Sequence, residues 1–421
     1  MDLEKLSLLL GNKKTKNFFI YGLGQAINVV SPLLVIPYVI AVCGEDGFGK
    51  VGLGFSLSLF LILIVDYAFD VKGTKEASEK RDNRLQLEKL YIRTIFIKCL
   101  LLLPVVLLFL LLIFFVPLFS EEKLLFTLSL SIVVAQAFTP IWFFQGTEQY
   151  TAASILNICS KGLYLILVYT FITSKTDYVY VNLFLGGSAF LFNIAGMVYI
   201  IGKYSFRIML PGFKDVTAIL RGDFSFCLSQ LFLSARQLLP VGLISYFLGY
   251  EFTGQYKILE QVITSSRTFI QVFQRYFYPI VCYKMAENVK EGTLFWKKYS
   301  SYNFLLVVVV MIAIAFMWKD VLYFFNASPK SVGELQFVFL LSLFVPVLMS
   351  VSLPLEQLMF ITGKERSYTK IVFTVTTINI ALVLSVLNIF GIMGVIITMI
   401  ATEVLFISLY FKNSYLHLSH N

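Results

Sequence analysis

Charge is scarce in this chain of 421 residues. Only 14% of them are Asp, Glu, Lys or Arg, where a soluble domain carries roughly 25%. That leaves too little polar surface to cover a water-soluble globule. Histidine is scarcer still: the only two, His417 and His420, lie in the C-terminal tail, so no histidine-based metal centre or catalytic pair is expected in the body. The five cysteines, at 43, 99, 159, 227 and 282, show no paired spacing. They read as small apolar packing residues rather than as a disulfide framework or a zinc site. No glycine-rich phosphate loop or P-loop occurs, and the loops are too short to house a soluble ATPase domain. An enzyme is not expected, nor is a cofactor or a metal.

Apolar sequence is abundant instead, at 58% of residues. Runs of about 20 residues, each able to cross a ~30 Å hydrocarbon core as a helix, recur from end to end. The runs are continuous rather than alternating with period two, so helices and not barrel strands are predicted. About twelve spans are expected, at 17–42, 48–70, 91–117, 123–145, 152–173, 179–202, 222–249, 255–283, 300–325, 332–361, 367–389 and 391–411. The first is too long for a signal peptide and lacks a small-residue cleavage pattern, so it reads as the first membrane helix.

Lys and Arg set the expected orientation. With the amino terminus inside, 23 of the 34 fall on the cytoplasmic side, six on the opposite side and five within spans. This bias predicts both termini in the cytoplasm. It also accounts for the net charge of +9, since a basic excess facing an anionic leaflet needs no nucleic acid partner.

The sequence WFFQGTEQYT at 142–151 has a counterpart in MFITGKERSYT at 359–369. Both are apolar runs broken at a glycine, and Gly146 and Gly363 follow the fourth and tenth spans. Six spans, a basic linker at 203–221 and six more spans make two parallel repeats, 1–202 and 222–421. Locally, each glycine is expected to end its helix in a left-handed conformation. Thr147 would then cap the next helix, with Glu148 at its positive end.

Ionisable groups inside the spans mark candidate function, because they are costly there and normally face a bundle interior or a watery cavity. Asp66, Asp70, Lys98 and Glu356 lie near span ends, where snorkelling or an Asp66–Lys98 pair explains them. Lys161, Arg236, Arg267 and Glu403 lie deeper. On span 8, Glu260, Thr264, Arg267, Gln271, Gln274, Arg275 and Tyr278 fall within about 60° of one line, a polar stripe along the helix. An internal Glu260–Arg267 pair is the structural alternative to a stripe that lines a cavity. Span 7 carries Ser229, Gln230, Ser234, Arg236, Gln237 and Pro240, and span 1 carries Gln25, Asn28, Ser31, Pro32 and Pro37. Such interrupted helices at matching places in two repeats point to a midplane site. Four deep cations (Lys161, Arg236, Arg267 and Arg275) face two deep acids (Glu260 and Glu403), so an anionic substrate is expected. Arg suits phosphate, because its planar fork donates two bonds at once.

The stretches Asn17-Phe-Phe-Ile-Tyr-Gly, Gly44-Glu-Asp-Gly-Phe-Gly49, Trp142-Phe-Phe-Gln-Gly-Thr-Glu148 and Gly363-Lys-Glu resemble the bacterial polysaccharide repeat-unit flippases of the Wzx type. That family shares a superfamily with the multidrug and toxin extrusion transporters, and the resemblance extends over essentially the whole chain. It implies an all-α polytopic membrane protein of two six-helix bundles in the bacterial inner membrane, open alternately to each side. It implies as substrate an undecaprenyl-pyrophosphate-linked oligosaccharide, with a polymerase and a chain-length regulator as partners in the same assembly. On this reading Arg236, Arg267, Arg275, Lys161 and Gln271 are candidates for binding the substrate. Glu260 and Glu403 are candidates for coupling to a proton or sodium gradient. The energy source and the sugar composition stay open. A small-molecule antiporter of the same superfamily has the same expected fold. A polysaccharide polymerase typically carries a large periplasmic loop, and a peptidoglycan-precursor flippase typically has fourteen spans.

Overall fold

The computed structural model describes residues 13–67, 69–207 and 210–415. His417, His420 and Lys5 lie outside the described residues, as do the side chains of residues 17–21, Gln25, Ser229 and Glu365.

Among the described residues the structure is helical, without strands. Eight helical stretches are long and apolar enough to cross a membrane. Two of them, Ala26–Glu79 and Arg366–Ser414, hold two crossings each. Gly44, at φ 79° and ψ 171°, breaks the first, and Gly391, at φ 56° and ψ −140°, breaks the second. A side chain with a Cβ resists that left-handed region, so glycine punctuates an otherwise uninterrupted apolar run. Helices Phe213–Phe247 and Tyr250–Glu287, of 35 and 38 residues, are also long enough but more polar. Counting these two as crossings gives twelve among the described residues, consistent with the expected all-α polytopic fold.

The chain divides into two compact units, Met1–Ser234 and Ala235–Asn421, the division falling inside helix Phe213–Phe247. The stretch 203–221 holds the end of one helix at Tyr204 and the first turns of the next from Phe213.

Unit 1 comprises α1 (Lys13–Asp66), α2 (Phe69–Glu79), α3 (Arg84–Phe115), α4 (Pro117–Ser120), α5 (Lys123–Ala137), α6 (Ile141–Gly146), α7 (Tyr150–Phe171) and α8 (Val181–Tyr204), with the first part of α9 (Phe213–Phe247). Small and polar residues let its helices approach closely, the usual substitute for a hydrophobic drive where the solvent is lipid. Asn182 Nδ2 donates to Val51 O at 3.0 Å and to Ser129 Oγ at 2.9 Å, while Ser58 Oγ donates to Ser129 O at 3.1 Å. A Cβ on Gly54 would meet Ser129 Oγ at 2.7 Å. Outward faces are apolar: on α3, Leu103 is 70% and Phe115 78% exposed, as expected of surfaces that lipid covers.

Unit 2 comprises the rest of α9, then α10 (Tyr250–Glu287), α11 (Val289–Phe316), α12 (Trp318–Phe324), α13 (Pro329–Ser342), α14 (Phe344–Ile361), α15 (Glu365–Tyr410) and a closing π-turn. Only Asn288 separates α10 from α11. Its side chain caps the second helix by accepting from the amides of Lys290 and Glu291, satisfying two of the donors that every helix start leaves open. Tyr299 stacks on Phe277 with ring centroids 4.9 Å apart, and Trp296 Nε1 donates to Pro354 O at 3.3 Å. These contacts tie α11 to α10 and to α14, and α10 and α14 also pack on each other.

The two similar turns end differently. Gly363 is left-handed at φ 69°, as expected. Gly146 is not: it closes α6 in helical conformation, and Glu148 takes the left-handed position at φ 57°. Steric room explains the exchange, since a Cβ on Gly146 would meet Thr74 O and Ala77 Cβ at 2.6 Å. Glycine is required there for the approach of α2, which shifts the reversal two residues on. Thr147 likewise does not cap the next helix. Its hydroxyl donates back to Phe143 O at 2.8 Å, and Gln149, the residue before α7, makes no side-chain cap.

Candidate functional site

Gly249, at φ 97°, ends α9 and starts α10 afresh. The 38 residues of α10 then run without a break to Glu287, so the polar stripe predicted for span 8 is carried on one continuous helix. Its N-terminal half faces a cavity of about 40 Å³ within unit 2. Arg236 and Gln237 of α9, Tyr256, Glu260, Thr264 and Arg267 of α10, Met349 of α14, and Asn379, Met399, Thr402 and Glu403 of α15 all line it. At roughly 10–15 Å³ for each water-sized probe, the space holds a few waters and no sugar.

The charges around this cavity are unequally matched. Arg236 Nη2 lies 3.3 Å from Glu403 Oε1, and its Cζ sits 4.8 Å from the ring centroid of Phe406. The second Glu403 oxygen accepts from Ser352 Oγ at 2.6 Å, so both carboxylate oxygens are engaged. Arg236 is less complete, because its Nη1 is buried with no hydrogen-bond partner. Glu260 pairs with Lys257 one turn earlier on α10 and not with Arg267, two turns away. The internal Glu260–Arg267 alternative is therefore corrected: Lys257, three residues before Glu260, is the nearer cation on the same face. Among the described residues Arg267 makes no ion pair. The lining thus carries two cations and two acids, and with Lys257 on Glu260 one positive charge is left over, at Arg267.

The cavity brings together four of the seven residues singled out from the sequence: Arg236, Arg267, Glu260 and Glu403. Gln271 and Arg275 lie further along α10, exposed, and do not line it. Gln274, at one flank of the stripe, is buried instead, its Oε1 3.1 Å from the hydroxyl of Tyr299. A stripe this wide spans two environments, one facing the cavity and one facing α11 and α14. Lys161 belongs to unit 1, half-buried on α7, with no hydrogen bond or ion pair among the described residues. Tyr256, Asn379 and Thr402 also line the cavity but do not stand out in the sequence. Asn379 and Thr402 sit among other Ser, Thr and Asn residues of the last two apolar spans, so nothing in the sequence sets them apart.

Three of the charges near span ends, Asp66, Lys98 and Glu356, are engaged locally. Lys98, fully enclosed, donates to Asp66 Oδ1 at 2.5 Å, forming the pair expected from the sequence. Lys72 pairs with Asp223, and Glu356 accepts from the hydroxyl of Tyr368 at 2.9 Å. Among the described residues no group of acids, histidines and cysteines is arranged to hold a metal ion.

Among the described residues the chain is helical, with repeated stretches long and apolar enough to cross a membrane and a charged cavity inside one unit, as in a polytopic membrane protein. Solved structures share this fold. The lipid II flippase MurJ, in an inward closed conformation, matches with a TM-score of 0.75 at 11% identity, covering 94% of this chain and 87% of that one. An inward-facing multidrug resistance transporter of the MATE family, of the MOP superfamily, matches with a TM-score of 0.73 at 14% identity, covering 94% and 95%. Residues 15–283 match the family model described as polysaccharide biosynthesis protein, and the chain belongs to that family. An Escherichia coli (strain K12) protein named "Putative O-antigen transporter" is 21% identical over 412 residues, 97% of each chain. These matches support the resemblance to Wzx-type flippases of the MOP superfamily that the sequence motifs carry. The relatives are transporters and flippases, not enzymes.

Proposed function

We propose that this protein is a flippase for lipid-linked polysaccharide repeat units, carrying a polyprenyl-diphosphate-linked oligosaccharide from the cytoplasmic to the periplasmic leaflet of the inner membrane. One observation bears most of the weight: Arg267, which makes no ion pair among the described residues, stands beside an incompletely bonded Arg236 within a membrane-spanning unit. A buried guanidinium is costly unless something anionic joins it, and a diphosphate offers the oxygens that two forked donors recognise. The cavity is far smaller than such a headgroup, so binding requires a more open state of the same unit, as alternating access demands. The Lys and Arg asymmetry of the loops supports both termini in the cytoplasm. Glu403 is the stronger candidate for coupling to a proton or sodium gradient, since it bonds Arg236, a guanidinium that a substrate anion would also engage. Substrate anion and carboxylate would compete for one guanidinium.

The test is complementation of a strain that lacks its own repeat-unit flippase, using Arg236→Gln and Arg267→Gln. Loss of surface polysaccharide, with lipid-linked units accumulating on the inner side, is expected from both. Full polymer production by normally inserted variants would overturn the assignment of these arginines. The fold is shared almost equally with the MATE transporter, which makes small-molecule antiport the second reading. It predicts altered drug susceptibility and unchanged surface polysaccharide on deletion.

A further inference from the structure

Unit 1 carries a second, larger cavity that the transport reading does not use. It is a groove of about 680 Å³ between α7 and α8, at the end where both helices meet the turn after α6. That volume falls within the ordinary range for ligand sites, roughly 300–1,000 Å³. Its floor is apolar, formed by Phe144, Ala152, Leu156 and Gly196. Gly196 lets α8 lie close here, since a Cβ would meet Leu156 Cδ1 at 2.6 Å.

The rim is polar and pre-arranged. Lys203 Nζ donates to Gln149 Oε1 at 2.6 Å and lies 5.3 Å from the ring centroid of Tyr199. Gln149 is itself fixed, its Nε2 within 2.8 Å of both Thr147 Oγ1 and the hydroxyl of Tyr204. An ammonium has three N–H donors, and this one spends a single hydrogen bond on Gln149. The exposed hydroxyl of Thr151 stands on the same rim. The one acid there, Glu148, is neutralised by Arg81 at 2.7 Å. The groove therefore has an apolar floor and a mouth of net positive charge.

We propose that this groove binds one anionic phospholipid of the surrounding bilayer, with an acyl chain on the apolar floor and the phosphodiester at Lys203 and Thr151. Charge complementarity selects an anionic headgroup over a neutral one. Continuity selects a bilayer lipid: from the groove wall at Ile155, 54% exposed, the outer face of α7 continues through Ile158 to Ile166, 64% exposed. A chain leaving the groove meets apolar surface and not water. Tyr199 at the rim, 49% exposed, suits the level of the headgroups, where aromatic rings with a polar tip concentrate.

The test is native mass spectrometry of the full-length protein released from nanodiscs of equal phosphatidylglycerol and phosphatidylethanolamine. One phosphatidylglycerol is expected to remain bound in preference to phosphatidylethanolamine. Lys203→Gln, at an exposed position, should reduce that retention about tenfold, the loss of one charge-assisted contact. Ala152→Trp should abolish it by filling the floor, with the melting temperature showing that the fold is kept. Equal retention of both lipids by the wild type, or wild-type retention by Lys203→Gln, would overturn the proposal. So would displacement of the lipid by equimolar glycerol 3-phosphate, which has the headgroup chemistry without the chain.

Discussion

Each unit holds a buried ion pair, and the two differ in what surrounds them. In unit 1 Lys98 is wholly enclosed and Asp66 nearly so, and the pair lines neither of the two cavities described above. In unit 2 Arg236 keeps 19% of its side chain exposed, leaves one nitrogen unbonded and shares its cavity with the unpaired Arg267. A closed pair answers the desolvation of its own charges and has nothing left to offer a ligand. An open pair beside a surplus cation does. Burial of charge in a membrane helix is thus not by itself a sign of function; the sign is charge that the protein leaves incompletely matched.

This difference can be broken experimentally, beginning with the largest effect. Lys98→Ala strands Asp66 in an apolar interior and should cost about 3–5 kcal/mol, read as a large drop in melting temperature and in folded yield. The double variant Lys98→Met with Asp66→Leu should recover most of it. A wild-type melt for Lys98→Ala would show that the pair is not the closed structural element described. Arg267→Gln should do the opposite. It strands no partner, so stability should stay within about 0.5 kcal/mol, while transport falls roughly 10–100-fold through loss of one or two charge-assisted bonds.

Glu403→Gln tests the open pair directly. It keeps a partner for Ser352 but leaves Arg236 without its counter-ion, and a loss of about 1–3 kcal/mol is expected. That is less than for Lys98→Ala, because Arg236 retains the Phe406 ring and some exposure. If Glu403 carries the coupling ion, transport measured in vesicles with an imposed gradient should also lose its dependence on that gradient. The smallest effects belong to the turns. Gly363→Ala forces a Cβ into a left-handed φ and should cost about 1–2 kcal/mol. Arg81→Ala removes only an exposed pair with Glu148, 46% and 60% exposed, and should change the melt by no more than about 1 kcal/mol.

Much of the fold was legible because the solvent is legible. Apolar length alone marks a crossing, and the glycines at 44, 249, 363 and 391 mark where the chain must break. The turn after α6 was misread for a reason no single sequence displays. Whether Gly146 serves conformation or close approach depends on what packs against it, and that is Thr74 and Ala77, some 70 residues away in the chain. The site was partly legible in the same way. Arg236, Arg267, Glu260 and Glu403 stood out as charges in apolar spans, whereas Asn379 and Thr402, uncharged and common in membrane helices, did not.

The sequence by itself determined that this chain lives in a bilayer, that it crosses as helices, and that ionisable groups lie deep within several of them. These follow from composition and period, which need no knowledge of what touches what. Only the tertiary structure decided which charge answers which: Lys257 and not Arg267 for Glu260, Glu403 for Arg236, Asp66 for Lys98. Electrostatic matching falls off over a few ångströms. Residues 167 apart in the chain, as Arg236 and Glu403 are, become neighbours only when the helices pack.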